Sequence, residues 1–432
     1  MPARIAFRPF SAVLAPLAAA IAFALSLPAQ AALITVNQDT DSHIPGRCSL
    51  REAVQAANAN QTPPGTNCVA GGLHDFIAMP FAQIVLTQGT LRVTGDQATI
   101  QGTLPGRTVI TRADNASAFG IIEQDNAALT LTNLVISNGN SNSCGGGIYS
   151  ISHNASNLHL ENVVVSGNRT DIDGGGICVS GHQTRLTIVQ STVSGNTAAQ
   201  GGGGIAAKYD IDLIDSTISG NSAARGGGMK LAGLGNGGSH LIVNSTIAGN
   251  SATGAGNDSG GGGIRLERGA LTILNSTITR NTTHSDSIGG GIALMPDASH
   301  NVALTLRSTL LSANVRGKYF QDIAANRAVT IGGSRNLVRH PQGNVTLPAD
   351  TLNCDPSMGP LGDHGGPTQT IPLQPNPGAN YCAIDVGMAN SQTFDQRGTG
   401  FARVVGAAAD IGAFEYSGES GETPLFANGF ED

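Results

Sequence analysis

Tryptophan is absent from this chain of 432 residues, aromatic side chains make up 4% of it and charged ones 12%, where an ordinary globular domain carries about 25% charge. Those shortages exclude a thick core built on large rings and a surface laced with ion pairs. No CxxC spacing occurs, which removes the common zinc and redox motifs, and there is no GxSxG, HExxH or phosphate-binding glycine phrase. After residue 31 no apolar run reaches the length of a membrane-spanning helix, so the sequence predicts no transmembrane helix in the mature chain.

What is present is glycine, 59 residues of it, in a recurring phrase. Ser-Gly-Asn is followed by a glycine run that closes on one aliphatic residue: Ile148, Ile177, Ile205, Met229, Ile264 and Ile292, spaced 29, 28, 24, 35 and 28 apart. A period near 28 fits a parallel β-helix with three short strands per coil. A second column is Ser191-Thr192, Ser216-Thr217, Ser245-Thr246, Ser276-Thr277 and Ser308-Thr309, each after a β-branched stretch. A third is Asn168, Asn196, Asn221, Asn250, Asn281 and Asn314, read as turn residues that tolerate left-handed angles and pass amide hydrogen bonds between coils. The fold class predicted is all-β, a parallel β-helix over 76–340, with the closing aliphatics stacked inward.

The first 31 residues read as an export signal. Arg4 and Arg8 precede an apolar run from Val13 to Leu27, and Ala29-Gln30-Ala31 has the small-residue pattern of a cleavage site. The mature chain would begin at Ala32 with 21 basic and 30 acidic residues, a charge of −9, which argues against nucleic acid as partner. Six cysteines in an exported chain favour disulfides over metal. Pairing within each end joins Cys48 to Cys68 and Cys354 to Cys382. Cys144 and Cys178 differ by five positions in adjacent repeats, too far for a bond if both lie in extended strand, and their pairing stays open. Residues 32–75 supply an N-terminal cap: Ser49 and Glu52 have capping-box spacing, and Leu50, Ala53, Val54 and Ala57 share one helical face.

The string CSLREAVQAAN, Cys48 to Asn58, resembles the opening signature of bacterial secreted CSLREA-domain proteins. The glycine-aliphatic and asparagine columns are similar to the repeats of chlamydial polymorphic outer-membrane proteins. Gly359-Pro360-Leu361, Asp363 to Thr368, Ala383-Ile384-Asp385, Asp395 to Gly398 and Asp410 to Glu415 resemble the choice-of-anchor Q domain, assigned to 341–416. Leu425 to Asp432, within a flexible tail over 417–432, resembles a terminal motif of exported Gram-negative proteins. Together these resemblances imply a right-handed β-helix, capped at its N-terminus by a helix and at its C-terminus by β and loop segments. They imply secretion or display on a Gram-negative surface, with periplasmic residence as the alternative, and no chemistry. The C-terminal region lacks successive alternating strands of a barrel, unlike the chlamydial autotransporters.

Chemistry is then sought where the repeat is broken. If the closing aliphatics point inward, their neighbours point out, and Lys208, Lys230, Arg265 and Glu267 form a small charged patch on neutral coils. These are the glycan-binding candidates. In a polysaccharide lyase of the pectate-lyase-like type such cations would neutralise a uronate beside a base. Asp171, Asp173, Asp258 and Asp286 precede glycine runs, where calcium is the cofactor to consider, but their offsets are irregular and turn formation explains them. No metal site is assigned. Asp363, His364, Asp385, Asp395, Arg397 and Asp410 are read as carboxylates bonded to loop amides or paired with Arg397. An ice-binding threonine column requires Thr192, Thr217, Thr246, Thr277 and Thr309 to face outward. The function expected is a monomeric, non-enzymatic rod for adhesion or glycan contact, with a polysaccharide lyase or hydrolase as the alternative.

Overall fold

Strands of two to six residues, with Ile264–Leu274 and Ile323–Thr330 longer, follow one another because apolar and small polar side chains alternate only briefly before a turn residue intervenes. In the computed structural model the residues described are 31–151, 156–233, 238–374 and 382–418. The signal segment, apart from Ala31, and the Leu425–Asp432 motif lie outside them.

One coil illustrates the rest. Ile148–Ser150 lies in sheet I, Asn157–Glu161 in sheet II, Val164–Ser166 in sheet III and Arg169–Thr170 in sheet IV. Each pairs in parallel with its equivalent one coil on, giving a right-handed parallel β-helix. The fourth, two-residue strand exceeds the three that the period suggests. Sheet III has ten strands and sheet IV eight among the described residues, while sheets I and II merge through Ile264–Leu274, which serves both. The ladder runs from Ala32–Thr35 to Pro341–Thr346, beyond both ends of 76–340.

The closing aliphatics stack as expected: Ile148, Ile177, Ile205, Met229, Ile264 and Ile292 are register partners and fully buried. Each contributes about 1.5 to 3 kcal/mol by leaving water. With Val179, Leu186, Ile188 and Val193 and their equivalents on other coils, they make the core a narrow column of Ile, Leu and Val rather than a sphere.

The asparagine column forms a buried ladder. Asn168 Nδ2 donates to Asn196 Oδ1 at 3.0 Å, and the relay continues through Asn221, Asn250, Asn281 and Asn314 at 2.9 to 3.0 Å. Asn314 Nδ2 passes the last bond to Asp322 Oδ1 at 2.7 Å. The left-handed angles, however, belong to the preceding residues, Gly167, Gly195, Gly220, Gly249, Arg280 and Ala313. A second left-handed column, including Asn162, Gln190, Asp215, Asn244 and Asn275, turns sheet II into sheet III. The sequence reading missed it.

Ser191, Ser216, Ser245 and Ser276 point inward, each hydroxyl accepting from the backbone N–H of the preceding coil. Thr192, Thr217, Thr246 and Thr277 are register partners and point outward, but the next member is Leu310. Thr309 therefore belongs to the inward serine column. Aligning the phrase by its Ser-Thr pair shifts that coil by one residue and reverses the side chain's face.

All three cysteine pairs are bonded: Cys48–Cys68, Cys354–Cys382 and Cys144–Cys178, the last with Cα atoms 5.7 Å apart. The objection to the middle pair fails because Cys144 is not in extended strand. Gly145, at φ 78°, doubles the chain back so tightly that a Cβ there would collide with the Ile148 carbonyl oxygen, and Cys144 lies over the next coil. The N-terminal cap is the helix α1, Leu50–Ala59, whose Ser49 and Glu52 form the capping box. Its buried Leu50, Ala53, Val54 and Ala57 cover the first coil. Among the described residues no helix is long and apolar enough to cross a membrane.

Candidate functional site

The outward column of sheet I is Tyr149, Cys178, Ala206, Lys230, Arg265 and Ala293, fixed by strand register. Lys208 follows the strand Ile205–Ala207 and stands exposed with no ion pair among the described residues. Glu267 does not continue its column, because a bulge sets Ala232 opposite Arg268. The four candidates are thus neighbours on one face, but two of the three cations are already engaged. Lys230 reaches back over two coils to Asp173, Nζ to Oδ2 at 3.1 Å. That path exists because Ala206 is small and Gly201 has no Cβ; one there would strike the Lys230 stem. Arg265, 7% exposed, donates from Nε to Glu267 Oε1 at 2.8 Å. The sequence predicts a cationic patch, and the geometry gives a row of self-neutralised pairs.

The same treatment extends to the first coils, where Arg92 meets Glu123 at 3.0 Å and Asp125 at 2.5 Å. Of the acids considered for calcium, Asp173 is spent on Lys230 and Asp171 faces Arg169 at 3.8 Å.

Beside Lys208 lies a feature the sequence reading did not single out. Tyr149 Oη and Ser180 Oγ are 3.2 Å apart, and Tyr209 Oη and His182 Nδ1 are 3.0 Å apart. Ser180 and His182 sit on one turn between the coils of Tyr149 and Tyr209, so three consecutive coils present rings, hydroxyls and one ammonium together. His182 and Lys208 are exposed and the tyrosines half-buried. The signal in the sequence was the scarcity itself: two of the five tyrosines fall within four residues of a closing aliphatic, Tyr149 after Ile148 and Tyr209 after Ile205.

The outward threonines of sheet III are covered. The C-terminal region closes the last coil through the Leu337–Leu352 bridge and then runs back along this face. Thr217 Oγ1 donates to Gln369 O at 2.6 Å, Thr246 Oγ1 to Gln396 Oε1 at 2.5 Å, and Ala413 N donates to Thr277 Oγ1 at 3.0 Å. A small second core joins Leu310 and Leu337 of the rod to Leu373, Ala383 and Ile411. Thr217, Thr246 and Thr277 therefore form a docking seam and are not free to meet ice. Within the strap the acids behave as loop ligands, as the sequence reading has them. Asp395 pairs with Arg397 at 2.8 Å, Arg397 is sandwiched between Phe401 and Phe414, and Arg403 pairs with Glu415.

Asp410 is the odd charge in this cluster. Burial first, then the neighbouring Glu415, pushes its carboxyl up to about 7. Because the folded value lies above the ordinary 3.8, this group's stabilisation is complete below about pH 4 and is lost as pH rises through 7. Asp410→Asn is expected to flatten the loss of stability between about pH 4 and 7, read from urea midpoints. An unchanged slope would exclude Asp410 as its source.

No protein-family model and no curated protein matches the chain. Among solved structures it is similar to pectate lyase Pel9A, with a TM-score of 0.49 and 14% identity over 90% of this chain and 97% of that one. At that level the likeness bears on no residue's role.

Proposed function

We propose that this protein is an exported, non-catalytic β-helix whose sheet I face contacts glycans. The observation that carries the reading is the platform of Tyr149, Ser180, His182 and Tyr209 on three consecutive coils. A tyrosine presents an apolar ring face with a polar tip, which suits a sugar's apolar face and its hydroxyls. Rigid neighbouring strands hold these groups in place before any ligand arrives, which lowers the ordering cost of binding. The disulfides support an oxidising destination, in keeping with the signal-like first 31 residues and the motifs shared with secreted and surface proteins. The pairing of Lys230 with Asp173 and of Arg265 with Glu267 supports binding over cleavage, since a lyase needs a cation and a base free to act on one sugar.

The test is retention on immobilised polysaccharides with product absorbance followed in parallel. Tyr149→Ala and Tyr209→Ala are each expected to weaken retention several-fold, about 1 kcal/mol per ring. Unchanged retention in the double variant, or unsaturated sugar products from wild type, would overturn the reading.

A further inference from the structure

We infer that the sheet I face is built for a neutral glycan and selects against uronates and other anionic polymers. This rests on the glycan reading above and names its ligand class. Three independent observations carry it. First, the positive charges of the outward column are cancelled where they stand: Arg92 by Glu123 and Asp125, Lys230 by Asp173, and Arg265 by Glu267. To take up a carboxylate, Lys230 or Arg265 must abandon a partner at 3.1 or 2.8 Å, so the gain of one pair is offset by the loss of another. Second, the groups left to meet a ligand are two tyrosine hydroxyls, a serine hydroxyl and an imidazole, each able to donate or accept, which is the complement of sugar hydroxyls. Third, the chain carries 30 acidic against 23 basic residues, so its field repels a polyanion approaching from a distance.

Lys208, next to Tyr209, is an exposed cation with no ion pair among the described residues, and it makes the inference falsifiable. A single exposed charge contributes little and is screened by salt. If the ligand is neutral, Lys208 is incidental; if it is anionic, Lys208 is the anchor.

The experiment uses the full mature chain on columns of a neutral glucan, a neutral mannan and a polyuronate, at about 50 and about 500 mM salt. The expected result is retention on a neutral polymer that changes less than about twofold with salt, falls several-fold in Tyr149→Ala and Tyr209→Ala, and is unaffected by Lys208→Ala. Retention on the polyuronate alone, lost about tenfold or more at high salt and in Lys208→Ala, would overturn the neutral-ligand inference while leaving glycan contact standing. Retention on none of the three would remove both. Far-UV circular dichroism of each variant separates loss of contact from loss of fold.

Discussion

Replacing Asn221 by alanine is expected to lower stability by roughly 3 to 5 kcal/mol, a large effect for one polar side chain in a protein of any size. Its Oδ1 accepts from both the backbone N and the Nδ2 of Asn196, at 2.9 and 3.0 Å, and its Nδ2 donates to Val193 O and to Asn250 Oδ1, each at 2.9 Å. All of these groups are buried, so truncation strands two donors and a carbonyl where water cannot replace the missing partner. Lys208→Ala, on an exposed stem in the same coil, is the control and should shift the urea midpoint by less than about 0.5 kcal/mol. With no tryptophan, unfolding is best followed by far-UV circular dichroism. Equal midpoints for the two variants would show that the amide ladder does not hold the coils together.

The second large effect concerns His240, which occupies an inward position between Ile211 and Leu271. It is buried, and neither ring nitrogen has a partner. Burial drives its titration down from 6.5 to about 4, against a smaller opposing pull from Asp210. The unfolded chain therefore binds the proton first. Stability is complete above about pH 6.5, is lost as pH falls, and reaches its full loss of about 3 kcal/mol below pH 4. His240→Leu restores the aliphatic column and should stabilise the rod at every pH, with an advantage over wild type that widens by about that amount from pH 7.5 to 4. An advantage independent of pH would place the imidazole outside the core. Asp410 slopes the opposite way, so taking the difference between variant and wild type isolates the histidine.

These two residues also mark what sequence reading reaches. Asn221 was legible because a repeat displays the same residue at the same offset many times, and only stacking in register explains that. His240 was not, because a single polar residue between Ser239 and Leu241 reads as outward; the pairing of Ile211 with His240 puts it inside and turns Leu241 out. The Lys230–Asp173 pair joins residues 57 apart and depends on two small residues beneath the lysine stem, so it appears only once coils are laid over one another. Cys144 was misjudged for a related reason: spacing was counted along an extended strand that a left-handed glycine folds back. The strap's seam was hidden because loop-rich segments carry no period, and the threonines it covers look the same whether they face water or Gln396.

The asparagine column has a sense of direction. Each amide receives hydrogen bonds from the coil before and passes one to the coil after, whereas a carboxylate receives and passes nothing on. Asp322 receives from Asn314 on one oxygen and from the His340 N–H on the other, and there the relay halts. Asp322 stands outside the column, eight residues after Asn314 and level with Gly291, and its carboxylate works as punctuation. The strands stack on to Pro341–Thr346 without it, so the full stop belongs to the side-chain relay alone, written in the exchange of a single nitrogen for an oxygen.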